Sequence, residues 1–213
     1  MASLKEDITE SLETADFERA GRLALEHKQV FRILISLAYD KEELLCWRAI
    51  EAMGVAAGVV GRKDPSVVRN VVQRLLWSMR DEAGGIGWSA PEMLGEVVIN
   101  NPQTCADIPP IILSFHEEES FLKGVLWSVG RITDAGINGM EGSFEVVTRA
   151  LDHKDPLVRG LALYAVPKFR IDEVAGRVRG MVGDEGRCRI YKNHELVTTK
   201  VGDIAKVVLG TDD

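Results

Sequence analysis

The chain has 213 residues and carries 26 Lys and Arg against 33 Asp and Glu, a formal net charge of −7. Its apolar content is that of a folded protein, and its acidic balance lacks the electrostatic footprint of a general nucleic-acid binder. Three cysteines, Cys46, Cys105 and Cys188, are odd in number and far apart, with no Cys-x-x-Cys pair, so a reduced, cytoplasmic protein is expected. The opening Met1-Ala-Ser-Leu-Lys-Glu-Asp does not read as a secretory signal. No stretch reaches the ~20 apolar residues that span a bilayer, so no membrane partner is expected.

Residues 4 to 27 read as a polar, mostly helical leader anchored by Leu4, Ile8, Leu12, Phe17 and Leu23. A helix is predicted over about Gln29 to Tyr39, with Val30, Ile33, Leu34 and Leu37 at helical spacing, and its partner over about Glu42 to Val60. Asp64-Pro65 is a start signal, with Asp as N-cap and Pro at the first helical position. The glycine-rich stretch Asp81 to Trp88 connects that helix to the next. There Ser89 and Glu92 have capping-box spacing, and Trp88 and Met93 that of a hydrophobic staple. Asn100-Asn101-Pro102 ends this helix, and Pro109-Pro110 is expected to break or kink the following segment.

Further helices are predicted over about Glu118 to Thr133, Phe144 to Leu151, from Asp155-Pro156 to near Pro167, and over Asp172 to Val182. The period then changes. Cys188 to Tyr191 and Leu196 to Thr199, joined by Lys192-Asn-His-Glu195, read as a β-hairpin. A last helix over about Gly202 to Leu209 is expected to cap the array.

Three of these stretches follow nearly one rule: Lys41 to Gly54, Glu117 to Gly130 and Lys154 to Pro167. Each opens with charge, runs as an amphipathic helix, and carries a small or helix-ending residue at the same offset. Such recurrence indicates a stacked array in which no unit buries its apolar face alone. One domain is expected over 1–213: a leader over 1–27, repeats over 28–183, and a hairpin with its capping helix over 184–213.

Asp155-Pro-Leu-Val-Arg159 followed by Ala162, and the looser Asp64-Pro-Ser-Val-Val-Arg69, resemble the HEAT-like repeat family, including the repeats named after phycobilisome lyases. The resemblance covers roughly residues 28 to 183. It departs at Gly160, where an apolar residue could pack, at Pro167, which replaces the usual glycine, and most of all over 84–110. The resemblance implies an all-α, HEAT-like α-α superhelix of about five helical pairs, here with a short β-hairpin near the C-terminus. It implies almost nothing about chemistry, because such folds host scaffolds and enzymes alike.

In such an array the second helix of each pair lines the inner surface. The residues those helices turn off their apolar stripes are Trp47 and Glu51, Glu92 and Glu96, Lys123, Trp127 and Arg131, and Tyr164 with Lys168. A groove of tryptophan, paired carboxylates and cations suits a peptide or small ligand. Against this stands a packing role, with the tryptophans filling gaps between repeats.

Other motifs fail. Gly85-Ile-Gly-Trp-Ser-Ala90 has the dinucleotide-fingerprint spacing but follows a helix rather than a strand. His116-Glu117 and His194-Glu195 do not make a di-iron set, and there is no His-Glu-x-x-His, so no metal or other cofactor is expected. No cysteine has a persuasive nucleophile setting. The sequence favours a non-catalytic interaction or scaffold module that binds a protein partner along the groove. The alternative is an enzyme or enzyme accessory holding a tetrapyrrole or nucleobase-like ligand against Trp88 and Trp127.

Overall fold

The computed structural model describes residues 3–80, 88–166 and 171–211. The chain is an all-α helical-repeat protein of paired helices with one two-stranded hairpin near its C-terminus. It divides into two compact units, Met1–Pro109 and Pro110–Asp213.

The first unit holds α1 (Leu4–Glu13), α2 (Phe17–Glu26), α3 (Val30–Leu37), α4 (Leu44–Gly61), α5 (Pro65–Arg80) and α6 (Ala90–Asn100). The second helices of successive pairs stack on one another, α2 on α4 and α4 on α6, while α3 and α5 also pack on α4. The expected leader is therefore not peripheral. Ile8, Leu12, Phe17, Ala20 and Ala24 are buried, and Gly21 lets α2 approach Val55 and Val59 of α4. Asp16 caps α2 through Arg19 N, and Ser3 with Glu6 forms a capping box on α1.

Helix α4 is the centre of this unit. Its 18 residues have a mean hydropathy of 1.5, which by length and composition alone would allow a membrane span. The sequence reading expected no such stretch. Here the helix is mostly buried among α2, α3, α5 and α6, the position of a core helix. Its contact with α6 is tight because of its glycines. A Cβ on Gly54 would stand 2.7 Å from the Glu96 carbonyl oxygen, and one on Gly61 would overlap the Asn101 side chain.

The start signal at Asp64 is borne out: its Oδ1 accepts from Ser66 N at 3.0 Å, ahead of Pro65. The one at Ser89 is corrected. Its hydroxyl makes no cap hydrogen bond. The carboxylate of Glu92 is drawn instead to Lys41, and Trp88 is largely exposed rather than stapled on Met93. Pro109 and Pro110 do not break a helix but open α7 (Pro109–Ser114), because the first turn needs no amide donors. The glycines of 81–87, together with Pro167 and Lys168, lie outside the described residues.

The second unit continues with a 3₁₀ turn (Phe115–Glu117), α8 (Glu119–Asp134), α9 (Ser143–Ala150), α10 (Pro156–Ala165), α11 (Ile171–Gly180), β1 (Arg187–Lys192), β2 (Glu195–Lys200) and α12 (Val201–Leu209). Stacking recurs: α8 packs on α10 and α10 on α12. Gly130 of α8 receives the Tyr164 ring of α10, 2.8 Å from where a Cβ would stand. The antiparallel strands pair Arg187 with Lys200 through to Lys192 with Glu195. Asn193 and His194, both at positive φ, close the two-residue turn, the conformation a tight hairpin demands.

Both repeat-signature arginines make the same contact. Arg69 pairs bidentately with Asp107, and Arg159 with Asp184. Arg159 also donates to the carbonyls of His153 and Lys154, so it ties the start of α10 to the segment leading into the hairpin. The guanidinium hydrogen bonds hold both carboxyls below the usual carboxylate range.

Candidate binding site

Of the nine groove residues expected from the sequence, Lys168 lies outside the described residues and the other eight divide evenly between the two units. In the first, Trp47 is buried and its indole N–H donates to the Lys41 carbonyl at 2.9 Å. Glu51 is half-buried. Glu92 and Glu96 are 1% and 2% exposed, so neither lines an open surface. In the second unit Trp127 is 2% exposed and packs in the core, with the Arg131 guanidinium 5.6 Å from its ring centroid. Lys123 pairs with Asp155 at 2.7 Å, and half-buried Tyr164 sits on Gly130. The expectation of tryptophans and paired carboxylates facing a ligand is therefore corrected for Trp47, Glu92, Glu96 and Trp127. Where helices sit between two stacked neighbours, a residue off one apolar stripe is buried on another face.

The buried carboxylate of Glu92 belongs to a small polar cluster. Lys41 Nζ lies 2.5 Å from its Oε1 and donates to the Trp88 carbonyl at 2.7 Å. Oε2 of Glu92 has no hydrogen-bond partner among the described residues. Ser89 Oγ lies 3.9 Å from Cys46 Sγ, and burial pushes that thiol up to about 12. Cys105 and Cys188 are likewise pushed up to about 11 by burial. All three thiols stay protonated near neutrality, and none is an activated nucleophile. Among the described residues no group of His, Cys, Asp and Glu has metal-binding geometry.

The exposed aromatic residues of the first unit lie elsewhere. Tyr39, Trp77 and Trp88 are 73%, 67% and 58% exposed. Two of them line a cavity of about 370 Å³ with Arg32, Ile35, Ser36, Ala38 and Arg74. Its walls come from α3 and the residues just after it, from α5, and from the segment entering α6. The Arg32 and Arg74 side chains are exposed and make no ion pair or hydrogen bond among the described residues. Among the described residues no carboxylate lines the cavity. The neighbouring Asp40 carboxylate is engaged by the Glu42 amide at 2.9 Å. Two planar cations beside two aromatic faces can fork onto a carboxylate while apolar groups rest on the rings.

In the second unit a wider depression of about 800 Å³ is lined by Phe144, Glu145, Thr148, Arg149, Asp152 and His153, with Lys154 and Arg177. Its charges are mixed, and Arg177 is already paired with Asp152 at 3.0 Å. The cleaner electrostatic signal is that of the first unit.

No family model matches the chain. It is similar to an uncharacterized protein of Archaeoglobus fulgidus, 27% identical over 178 residues, covering 80% of this chain and 91% of that one. Among solved structures, a designed armadillo repeat protein in complex with the peptide (KR)4 covers 99% of each chain at 12% identity, with a TM-score of 0.44.

Of the cavity's residues, the sequence reading singled out only Trp88, and for another role. Arg32, Tyr39 and Arg74 lie on or just after the first helices of their pairs, off the inner surface that the repeat pattern marks. A signal existed. On α5 the buried stripe Val67, Val68, Val71, Val72 and Leu75 leaves Arg74 exposed on its flank and Trp77 exposed opposite. An aromatic and a cation together on a solvent face are unusual enough to mark it.

Proposed function

We propose that this protein is a non-catalytic, HEAT-like interaction module that docks a segment of a partner protein at the cavity between α3 and α5. The observation that carries the reading is the pairing of exposed Trp88 and Tyr39 with two guanidiniums that have no ion-pair partner among the described residues, around one concavity. Aromatic residues and arginine are the side chains that dominate binding energy at protein interfaces. The buried and protonated thiols fit a reducing, cytoplasmic setting and offer no nucleophile. The alternative, a planar tetrapyrrole or nucleobase-like ligand held by Trp88 and Trp127, loses Trp127 to the core.

The test is capture of partners from native cytoplasm with the wild type, Trp88→Ala and Arg74→Glu in parallel, each first shown to melt like the wild type. Loss of the same partner in both variants supports docking at this cavity. A partner retained by both places the interaction elsewhere. A chromophore or nucleotide co-purifying with the wild type and lost in Trp88→Ala favours the ligand-binding alternative.

A further inference from the structure

We infer that the cavity of the first unit selects an acidic peptide segment, and that Lys41 is the residue that positions its aromatic platform. The inference rests on the docking reading above and specifies the occupant.

Charge complementarity carries it. Across the whole chain acids outnumber bases, 33 to 26, yet among the described residues the cavity lining holds two arginines and no acid. Most other arginines of the first unit are engaged. Arg19 pairs with Asp7 and Glu10, Arg22 lies near Asp16 and Glu18, Arg48 donates to the Leu12 and Glu13 carbonyls, and Arg69 is forked onto Asp107. Arg32, Arg62, Arg74 and Arg80 make no such contact among the described residues, and of these Arg32 and Arg74 share one lining. A guanidinium fork matches a carboxylate in shape and in charge, and arginine clusters are a recurring means of reading acidic motifs.

The cavity volume of about 370 Å³ lies at the small end of the range for ligand sites, room for a few side chains of an extended segment rather than for a domain. A nucleic acid is the weaker fit. Its affinity grows with the number of phosphates neutralised, and two arginines on an acidic protein neutralise few.

Lys41 makes the platform. Its ammonium joins the Trp88 carbonyl to the buried Glu92 carboxylate, and its own carbonyl accepts from the Trp47 indole. The main chain of exposed Trp88 is thus pinned to the core at the point where the chain enters α6. An aromatic side chain held before its partner arrives loses less freedom on binding.

The experiment uses the full-length protein and dye-tagged decapeptides, read by fluorescence anisotropy. The peptides share two leucines and carry glutamate, glutamine or lysine elsewhere, with a ten-nucleotide oligothymidine as a fourth probe. The glutamate peptide should bind at least tenfold tighter than the other three, with affinity falling as salt rises. Arg32→Glu/Arg74→Glu should weaken it at least tenfold, while Arg149→Glu/Lys154→Glu, the same charge change in the second unit, should not. Lys41→Met should weaken it while leaving its steep salt dependence intact, since both arginines remain.

If glutamine or lysine peptides bind as tightly as glutamate, and do so only with Trp88 present, the docking reading stands and the acidic occupant is wrong. Equal binding of the oligonucleotide, or indifference to the arginine reversal, also overturns the acidic-peptide inference. Binding unchanged in Lys41→Met removes the positioning role. Failure of every peptide to bind the wild type removes both the occupant and the docking reading.

Discussion

A Cβ placed on Gly160 would stand 2.8 Å from Cys188 Sγ, with the Cδ1 atoms of Ile204 and Ile190 at 3.3 and 3.4 Å. The position where the repeat pattern leaves room for an apolar residue is filled by the C-terminal hairpin and α12. Gly160→Ala gains about 1 kcal/mol of helix propensity but crowds a short strand side chain that cannot swing away. We expect a net loss of about 1–2 kcal/mol, the scale of overpacking. Cys188→Ala made in the same chain should recover most of it. Denaturant titration of the two single variants and the double variant measures the coupling.

The docked hairpin and α12 cover α10 with Cys188, Ile190, Tyr191, Val201 and Ala205, all buried. Removing residues 184 to 213 uncovers that face, and terminal caps keep such arrays soluble. The truncated chain should lose solubility or melt markedly lower. A soluble product with an unchanged Tm would show that the C-terminal segment is dispensable.

Acid should loosen the same contact. Asp184 is held below the usual carboxylate range, chiefly by its hydrogen bonds to Arg159. A carboxyl with a lowered folded-state pKa binds its proton more readily in the unfolded chain. Its stabilisation is fully present above the unfolded value of about 3.9 and is lost as pH falls through the lower folded value. Asp184→Asn should therefore lower stability at pH 7 and flatten its decline below about pH 4. Urea titrations at several pH values for both proteins check this.

Much of the fold is legible in the sequence. The helix starts at Asp64 and Asp155 are borne out, because an Asp-Pro pair specifies its own local geometry. So is the hairpin, whose change of period is as local a signal. The site was less legible. Trp127 and Glu96 each lie off one apolar stripe, yet they are buried because helices of stacked pairs have neighbours on several sides. A single-helix pattern does not record the second neighbour. The Glu92 half of the expected capping box is lost for a similar reason: Lys41, 51 residues away from Glu92 along the chain, claims its carboxylate.

Three substitutions separate these cases. Trp127→Ala should cost about 3–5 kcal/mol, the range for large-to-small changes in a core, and more than Val129→Ala. Ser89→Ala should cost less than the ~1 kcal/mol of a lost N-cap, since no cap bond exists to lose. Thermal and denaturant melts of the three variants suffice.

The glycines of α4 give a further check. The oxygen facing a new Cβ on Gly54 belongs to the backbone of α6, which cannot rotate aside. Gly54→Ala should thus destabilise by about 1–3 kcal/mol despite its better helix propensity. A neutral or stabilising result would contradict the close contact of α4 with α6 at this position.

The central claim is that the working surface of the first unit lies on α3, α5 and the entry to α6. Hydrogen exchange with and without the glutamate decapeptide tests it most directly. Slowed exchange should appear over residues 32–39 and 71–78 and at Trp88, and should be absent from Arg32→Glu/Arg74→Glu. Protection concentrated on α8 and α10, with α3 and α5 unchanged, would contradict the account.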